Sequence, residues 1–288
     1  MSKPYISVII PAFNEEAFLP RCLESLQQQK NAPSFEVIVV DNNSTDDTSQ
    51  VAKHFDVTLI HEPKAGVVHA RNTGLAAARG EIIVSTDADT YFPETWLAYI
   101  GDYFKKNPEI AGLAGHYHYV KGPLWARFWP VMGAIAFKII YEITGNTVYV
   151  SAANLAFRKK FFKGYNTNHT QGGDEVEVLS ELKKHGKVHA TLGNAVFTSS
   201  RRVNQGFLHS ILITLGYYYV YNHWQTKRSG EESTVGIYPA IRTESRTAHW
   251  KLLAVQWAII AGISFAAVSI ATHHIPHIWK FSEVFHLF

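Results

Sequence analysis

The chain is expected to be an α/β protein built on a doubly wound, mostly parallel sheet. Three observations lead there. Short apolar strands alternate with helical stretches through the N-terminal third, polar clusters fall where those strands end, and 47% of the 288 residues are hydrophobic, enough for a substantial core. Strand–helix alternation favours parallel strands, because each crossover helix carries the chain back to the end where the last strand began.

The elements follow in order. "YISVIIPAF" reads as a strand that closes in Pro11, and "AFLPRCLESLQQQ" places Phe18, Cys22, Leu23 and Leu26 on one helical face. "FEVIVVD" is a second strand, ending in Asp41. The Ser/Thr/Asp cluster of "NNSTDDTSQVAKHF" suits the N-cap of the next helix. "VTLIHE" is a third strand, "GVVHARNTGLAAA" a helix, and "EIIVSTDAD" a fourth strand. In sheets of this kind ligands bind beyond the carboxyl ends of the strands. Those ends carry Pro11 to Asn14, Asp41 to Ser44 and Asp87 to Asp89, so three polar clusters share one rim.

Further on, "IAGLAGHYHYV" and "TVYVSAANLAFR" read as strands around an aromatic-rich helix, "LWARFWPVMGAIAFKIIYEI". "QGGDEVEVLSELKKHG" is an acidic helix start with Leu179 and Leu182 on one face and a glycine at its C-terminal cap. The expected organisation is a catalytic-sized domain over 1–203, an aromatic helical region and loop over 204–250, and a terminal segment over 251–288. Gln225 to Gly236 is the expected mobile loop.

Leu252 to Thr272 carries no charge in 21 residues. As a helix it would span about 32 Å, close to the hydrocarbon thickness of a bilayer. A buried core helix is the alternative, disfavoured because the run is apolar on every face. Arg242, Arg246 and Lys251 precede it and place the preceding domain on the cytoplasmic face, anchored through the C-terminal region. Leu124 to Ile143 and Gly206 to Trp224 combine aromatic and apolar residues and read either as interfacial or as core helices. The N-terminal apolar run is too short for a secretory signal. The single cysteine, Cys22, rules out an internal disulfide and fits a reducing compartment. A net charge of +3 gives no reason to expect nucleic acid. Charged residues make up 18%, below the roughly 25% usual in soluble domains.

The chemistry gathers in "DAD". On an extended segment Asp87 and Asp89 point the same way, and two carboxylates held together repel unless protonated or bridged by a cation. Hard oxygen ligands suit Mg²⁺ or Mn²⁺, which take one or two protein carboxylates plus phosphate oxygens. An isolated Asp-Ala-Asp is weak evidence, because such triplets are frequent in surface turns.

The motifs "SVIIPAFNEE", "VIVVDNNSTDDT", "ARNTGLAAARGEIIVSTDADT", "GGDEVEVLSEL" and "TSSRR", in that order from Ser7 to Arg202, resemble the family 2 glycosyltransferases. These are inverting nucleotide-sugar enzymes with the GT-A fold, a Rossmann-like, mostly parallel sheet with helices on both faces. The resemblance implies that Pro11, Ala12, Asn14 and Glu15 line the nucleotide pocket. It implies that Asp41 meets the base edge with Asn43 beside it, and that Arg71, next to Asn72, lies near the nucleotide. Asp87 would contact the ribose or a metal-bound water, and Asp89 would ligate Mg²⁺ or Mn²⁺ directly. The general base would come from "GGDEVE". Alignment favours Glu175, and the Asp-Glu order, reversed from the family's usual one, leaves Asp174 open. Gly172 and Gly173 would let substrate approach the backbone, with Gly173 and Asn154 near the donor sugar or acceptor. Arg201 or Arg202 would stabilise the leaving diphosphate, and since adjacent side chains diverge, only one reaches it.

Plainer roles exist for several of these. Asn42, Ser44 and Asp46 would also cap a helix, and acids at a helix start complement its dipole. None of the fifteen histidines shows zinc-ligand spacing; His116 and His118 either face the acceptor or simply pack. A dinucleotide oxidoreductase would need G-x-G-x-x-G, and a nucleotidyltransferase a glycine-rich basic loop that "PAFNEE" lacks. A catalytically silent nucleotide-sugar-binding or membrane scaffold protein would be expected to have lost the acids. The expected partners are therefore a nucleotide diphosphate sugar donor, a lipid-linked or membrane-proximal acceptor and a membrane, with no nucleic acid.

Overall fold

The computed structural model describes residues 3–167, 174–201 and 203–205. Gly172, Gly173, Arg202, the Gly206 to Trp224 stretch, the Gln225 to Gly236 loop and the Leu252 to Thr272 segment lie outside them. The N-terminal half runs β1 (Ile6–Ala12), α1 (Leu19–Gln27), β2 (Phe35–Asp41), α2 (Thr48–Lys53), β3 (Thr58–His61), α3 (Val67–Ala77) and β4 (Ile82–Ser85), as the alternation predicts. Next come β5 (Thr90–Tyr91), α4 (Trp96–Lys106), β6 (Gly112–Ala114), β7 (Tyr117–Val120) and α5 (Leu124–Thr144). The described chain closes with β8 (Leu155–Arg158), α6 (Asp174–Lys183), β9 (Val188–Ala190) and β10 (Val196–Ser199).

Seven strands form one sheet in the order β3-β2-β1-β4-β8-β6-β9. The first four are parallel, β8 runs antiparallel between β4 and β6, and β6 is parallel to β9. Alternation along β1 divides the core. Ile6, Val8 and Ile10 face one layer with Leu19, Leu23 and Leu26 of α1 and Trp96, Ile100 and Phe104 of α4. Ile9 faces the other, with Val68 and Leu75 of α3 and Val178, Leu179 and Leu182 of α6. Every residue of β1 is buried, which is why this strand reads as an unbroken apolar run.

Two segments differ from their expected single strands. "IAGLAGHYHYV" splits, so that β6 stays in the main sheet while β7 joins a second sheet in the order β5-β10-β7. In "TVYVSAANLAFR" only Leu155–Arg158 is extended, and Ala152–Asn154 tightens into a 3₁₀ turn. One buried side chain accounts for both. Asn154 Nδ2 donates to the carbonyls of His116 (3.0 Å) and Asn194 (2.6 Å), and its Oδ1 accepts from Trp96 Nε1 (3.1 Å). Gly115, at the break between β6 and β7, donates its N–H to the Asn154 carbonyl (3.0 Å).

Asn154→Ala would strand two buried carbonyls and an indole N–H. It is expected to cost about 2–3 kcal/mol of stability, read as a lower urea midpoint at unchanged slope. A loss below about 0.5 kcal/mol would show that Asn154 does not hold the two sheets together.

Candidate active site

The carboxyl ends of β1, β2 and β4 form the rim, and hydrogen bonds between their loops set its shape. Asn14 and Asn43 adopt positive φ (54° and 65°), a conformation asparagine tolerates better than most residues. The Asn14 N–H donates to Ser44 Oγ (3.0 Å), and Asn14 Oδ1 accepts from the Thr45 N–H (2.8 Å). Pro11 and Ala12 lie inside the β1–β2 ladder, opposite Val40 and Asp41. Asp41 is buried and accepts from the Ser44 N–H (3.0 Å) and the Ser49 hydroxyl. The buried neighbour is Asn42, not Asn43. Its Nδ2 donates to the carbonyls of Glu62 (3.1 Å) and Lys64 (2.6 Å), and its Oδ1 accepts from the Gly66 N–H ahead of α3 (2.7 Å). Asp46 does serve the head of α2, accepting from the Thr48 N–H (3.0 Å).

Asp87 and Asp89 are not displayed side by side on a strand. β4 ends at Ser85 and the chain turns, the Thr90 N–H donating to the Asp87 carbonyl (3.1 Å). The turn sends each acid to its own arginine. Arg71, buried on α3, donates through Nη2 to Asp87 Oδ1 (3.0 Å) and through Nη1 to Asp174 Oδ2. Burial opposes its charge, and the fields of Asp174 and Asp87 outweigh that, so the guanidinium is held protonated. Arg201 donates through Nη2 to Glu15 Oε1 (2.9 Å) and Asp89 Oδ2 (2.7 Å), with its guanidinium 4.2 Å from the centre of the Phe18 ring. Thr198 Oγ1 donates to the other Asp89 oxygen (3.2 Å). Arg201 Nη1 is buried and has no hydrogen-bond partner among the described residues.

Asp174 and Glu175 open α6, and their surroundings differ. Asp174 is buried against Arg71, whereas Glu175 remains partly accessible. Burial, and then the nearby Asp174 charge, push the Glu175 carboxyl up to about 8. Asn72 grips the other side of the motif, its amide exchanging hydrogen bonds with the Tyr165 carbonyl (2.8 Å) and N–H (2.7 Å). Arg71 and Asn72, adjacent on α3, thus hold the chain on both sides of 168–173. Sequence reading places Arg71 near the nucleotide and misses this grip. The spacing between the Arg-Asn and Asp-Glu motifs carries no sign that they meet.

Beside Asp89 lies a cleft of about 620 Å³ lined in part by Asn14, Arg21, Asp89, Tyr91, Lys121 and Ser199. The Arg21 guanidinium stacks 3.6 Å over the centre of the Tyr91 ring. His116 and His118 pack edge to face at 4.9 Å, and His118 also stacks on Phe197. Among the described residues no group of three or more His, Cys, Asp or Glu gathers as a metal cluster. Mg²⁺ and Mn²⁺ need none when a ligand supplies phosphate oxygens. Asp87 and Asp89 are the hard oxygen donors such an ion takes, and to bind it Asp89 would exchange contacts with Arg201 and Thr198, and Asp87 with Arg71.

Residues 7–165 match the glycosyl transferase family 2 model. The chain belongs to this family. Among family relatives, glycosyltransferase AglE of Haloferax volcanii is 37% identical over 101 residues, 33% of each chain. A dolichyl N-acetyl-alpha-D-glucosaminyl phosphate 3-beta-D-2,3-diacetamido-2,3-dideoxy-beta-D-glucuronosyltransferase of Methanococcus voltae is 29% identical over 123 residues, 38% of each. The matched regions thus span only about a third of these relatives' lengths. Mannosyltransferase PcManGT from Pyrobaculum calidifontis, solved with GDP-Man and Mn²⁺, has the same fold at TM-score 0.61 and 23% identity, over 97% of this chain and 82% of that one. S. aureus TarS 1-349 in complex with UDP-GlcNAc aligns at 0.53 and 20% identity, over 71% and 60%. The GT-A architecture of family 2 glycosyl transferases accordingly accounts for the large, mostly parallel sheet.

The raised Glu175 pKa has a consequence for stability. The folded chain holds this proton more tightly than the unfolded chain, whose ordinary value is 4.5. Its contribution is therefore complete below about pH 4.5 and is lost as pH rises toward 8. Glu175→Gln should melt with the parent at pH 5 and above it at pH 9, measured by thermal unfolding. A constant offset at both pH values would show that Glu175 titrates as it does in the unfolded chain.

Proposed function

We propose that the chain transfers a sugar, with inversion, from a nucleotide diphosphate sugar to a lipid-linked or membrane-proximal acceptor, with Mg²⁺ or Mn²⁺. One observation carries the reading. Arg71 ties up Asp174 and leaves Glu175, at about 8, as the carboxylate able to exchange a proton near neutrality. Inversion by single displacement needs one such base. Glu175 takes the acceptor hydroxyl's proton as that oxygen attacks the anomeric carbon, opposite the departing diphosphate. Arg201, whose guanidinium pairs with Asp89 at the rim, would stabilise the leaving phosphate, where negative charge builds. The rim loops of Asn14, Asp41 and Asn43 position the nucleotide. Asp89, with Asp87, would hold the divalent ion, which when bound neutralises diphosphate charge.

The relatives' descriptions support the substrate classes: GDP-Man with Mn²⁺ and UDP-GlcNAc for two fold neighbours, and a dolichyl phosphate-linked acceptor for a sequence relative. The uncharged Leu252 to Thr272 segment and the basic residues before it support a catalytic domain anchored at the cytoplasmic face of a membrane.

Transfer measured with a panel of nucleotide sugars and membrane-embedded acceptors tests this reading. Glu175→Gln should lower the chemical step by roughly 10²–10⁴-fold while donor binding survives. Asp174→Asn should lower stability as well, because it strips a partner from buried Arg71. A folded but inactive Asp174→Asn beside an active Glu175→Gln would transfer the base role to Asp174.

Excess EDTA should abolish transfer, and Asp89→Asn should weaken donor binding mainly when Mn²⁺ is present. Full activity in EDTA would remove the metal from the scheme.

A further inference from the structure

Of the eleven large hydrophobic side chains exposed among the described residues, eight fall between Phe128 and Tyr149. Six of them lie on α5. At 100° per residue, Phe128, Met132, Ile135, Ile139, Ile140 and Ile143 form one band along an axis of about 31 Å. Their exposure is not marginal: Phe128 is 64% exposed, Met132 63% and Ile143 78%. The opposite face is apolar too and is already occupied. Ala126 and Pro130 are buried there, Phe137 stacks on Tyr149 and Tyr141 packs on His189. A helix apolar on both sides is expected to be covered on both.

We propose that this outer band of α5 docks in the plane of a lipid leaflet, with anionic headgroups along its basic shoulder. Arg127 and Lys138 lie together on one flank of the band, and exposed Lys121 precedes the helix. Lys138 also pairs with the helix's one acid, Glu142, at 2.5 Å, so the net positive charge of this shoulder comes from Arg127 and Lys121. Basic flanks and an apolar face are the composition of helices that lie in the interface. Among the described residues no helix is long and apolar enough to cross a membrane, α5 included. None of the six side chains named carries a hydrogen-bonding group, whereas a protein partner would ordinarily meet a polar rim. The described chain also ends at this place. Ser200 packs against Gly122 at the head of α5, and the sequence then continues into the apolar Gly206 to Trp224 and Leu252 to Thr272. This inference rests on, and deepens, the membrane-side acceptor of the proposed function.

The test uses the full chain carrying Met132→Cys or Ile139→Cys, labelled with the fluorophore NBD. Cys22 is buried, and the unsubstituted chain reports any label it takes. The labelled protein is added to phosphatidylcholine–phosphatidylglycerol vesicles with brominated acyl chains. Probes at 132 and 139 should shift to the blue and lose emission to the brominated lipid. A probe at Gln50→Cys, at the other edge of the sheet, should do neither. A blue-shifted probe that brominated lipid does not quench means protein covers the band, and a probe that stays in water means nothing does; either result overturns the proposal. Sugar transfer in the same samples reads the proposed function separately. Quenching without transfer leaves the docking face standing, and transfer without quenching removes the face alone.

Discussion

A guanidinium shut away from water must be paired, and the site is arranged around that requirement. Arg71 is buried on α3 and reaches both the turn after β4 and the first residue of α6. Losing Asp174, the buried one of the two acids, would leave a buried charge short of a partner, a change that typically costs about 3–5 kcal/mol. The pairing therefore fixes where α6 begins relative to the rim. Asn72 adds a second hold one residue along, on the Tyr165 backbone. The position of Glu175 follows from these two contacts, since it is the next residue after the one Arg71 holds.

The other arginine makes a matching arrangement across the rim. Arg201 draws Glu15, from the loop after β1, to Asp89, from the turn after β4. Two acids expected to crowd each other are thereby separated, each with its own cation. A divalent ion would enter a site whose charge is already largely balanced within the protein.

Most of the N-terminal half was legible because its signals are local. A strand buried on both faces is continuously apolar, and a polar cluster at its end marks the rim; β1, β2 and β4 show both features. What could not be read depends on partners far away in sequence. Asp87 and Asp89 looked parallel because "STDAD" carries no sign of the turn. Asn154 looked like a ligand contact, yet its amide is spent on His116, Asn194 and Trp96. Adjacent Asn42 and Asn43 are equivalent in the sequence, and only the placed backbone shows that Asn42 is buried among backbone partners while Asn43 stays exposed at the rim. The different surroundings of Asp174 and Glu175 depend on Arg71, whose partner lies 103 residues along the chain.

The reversed strand β8 bears on the order in which the molecule is made. β4 and β6 do not touch each other; each pairs with β8, which lies between them. A chain emerging from the ribosome can assemble β1 to β4 with short-range crossovers, but β6 has no place in the main sheet until Leu155–Arg158 arrives. Contacts between distant segments form slowly, because a long loop must close first. The strands that carry the rim can thus pair well before α6 and Arg201 arrive to hold its acids. During synthesis the protein passes through a stage at which β4 is an open edge and Arg71 still awaits Asp174, and that is when it is most exposed to wrong pairing.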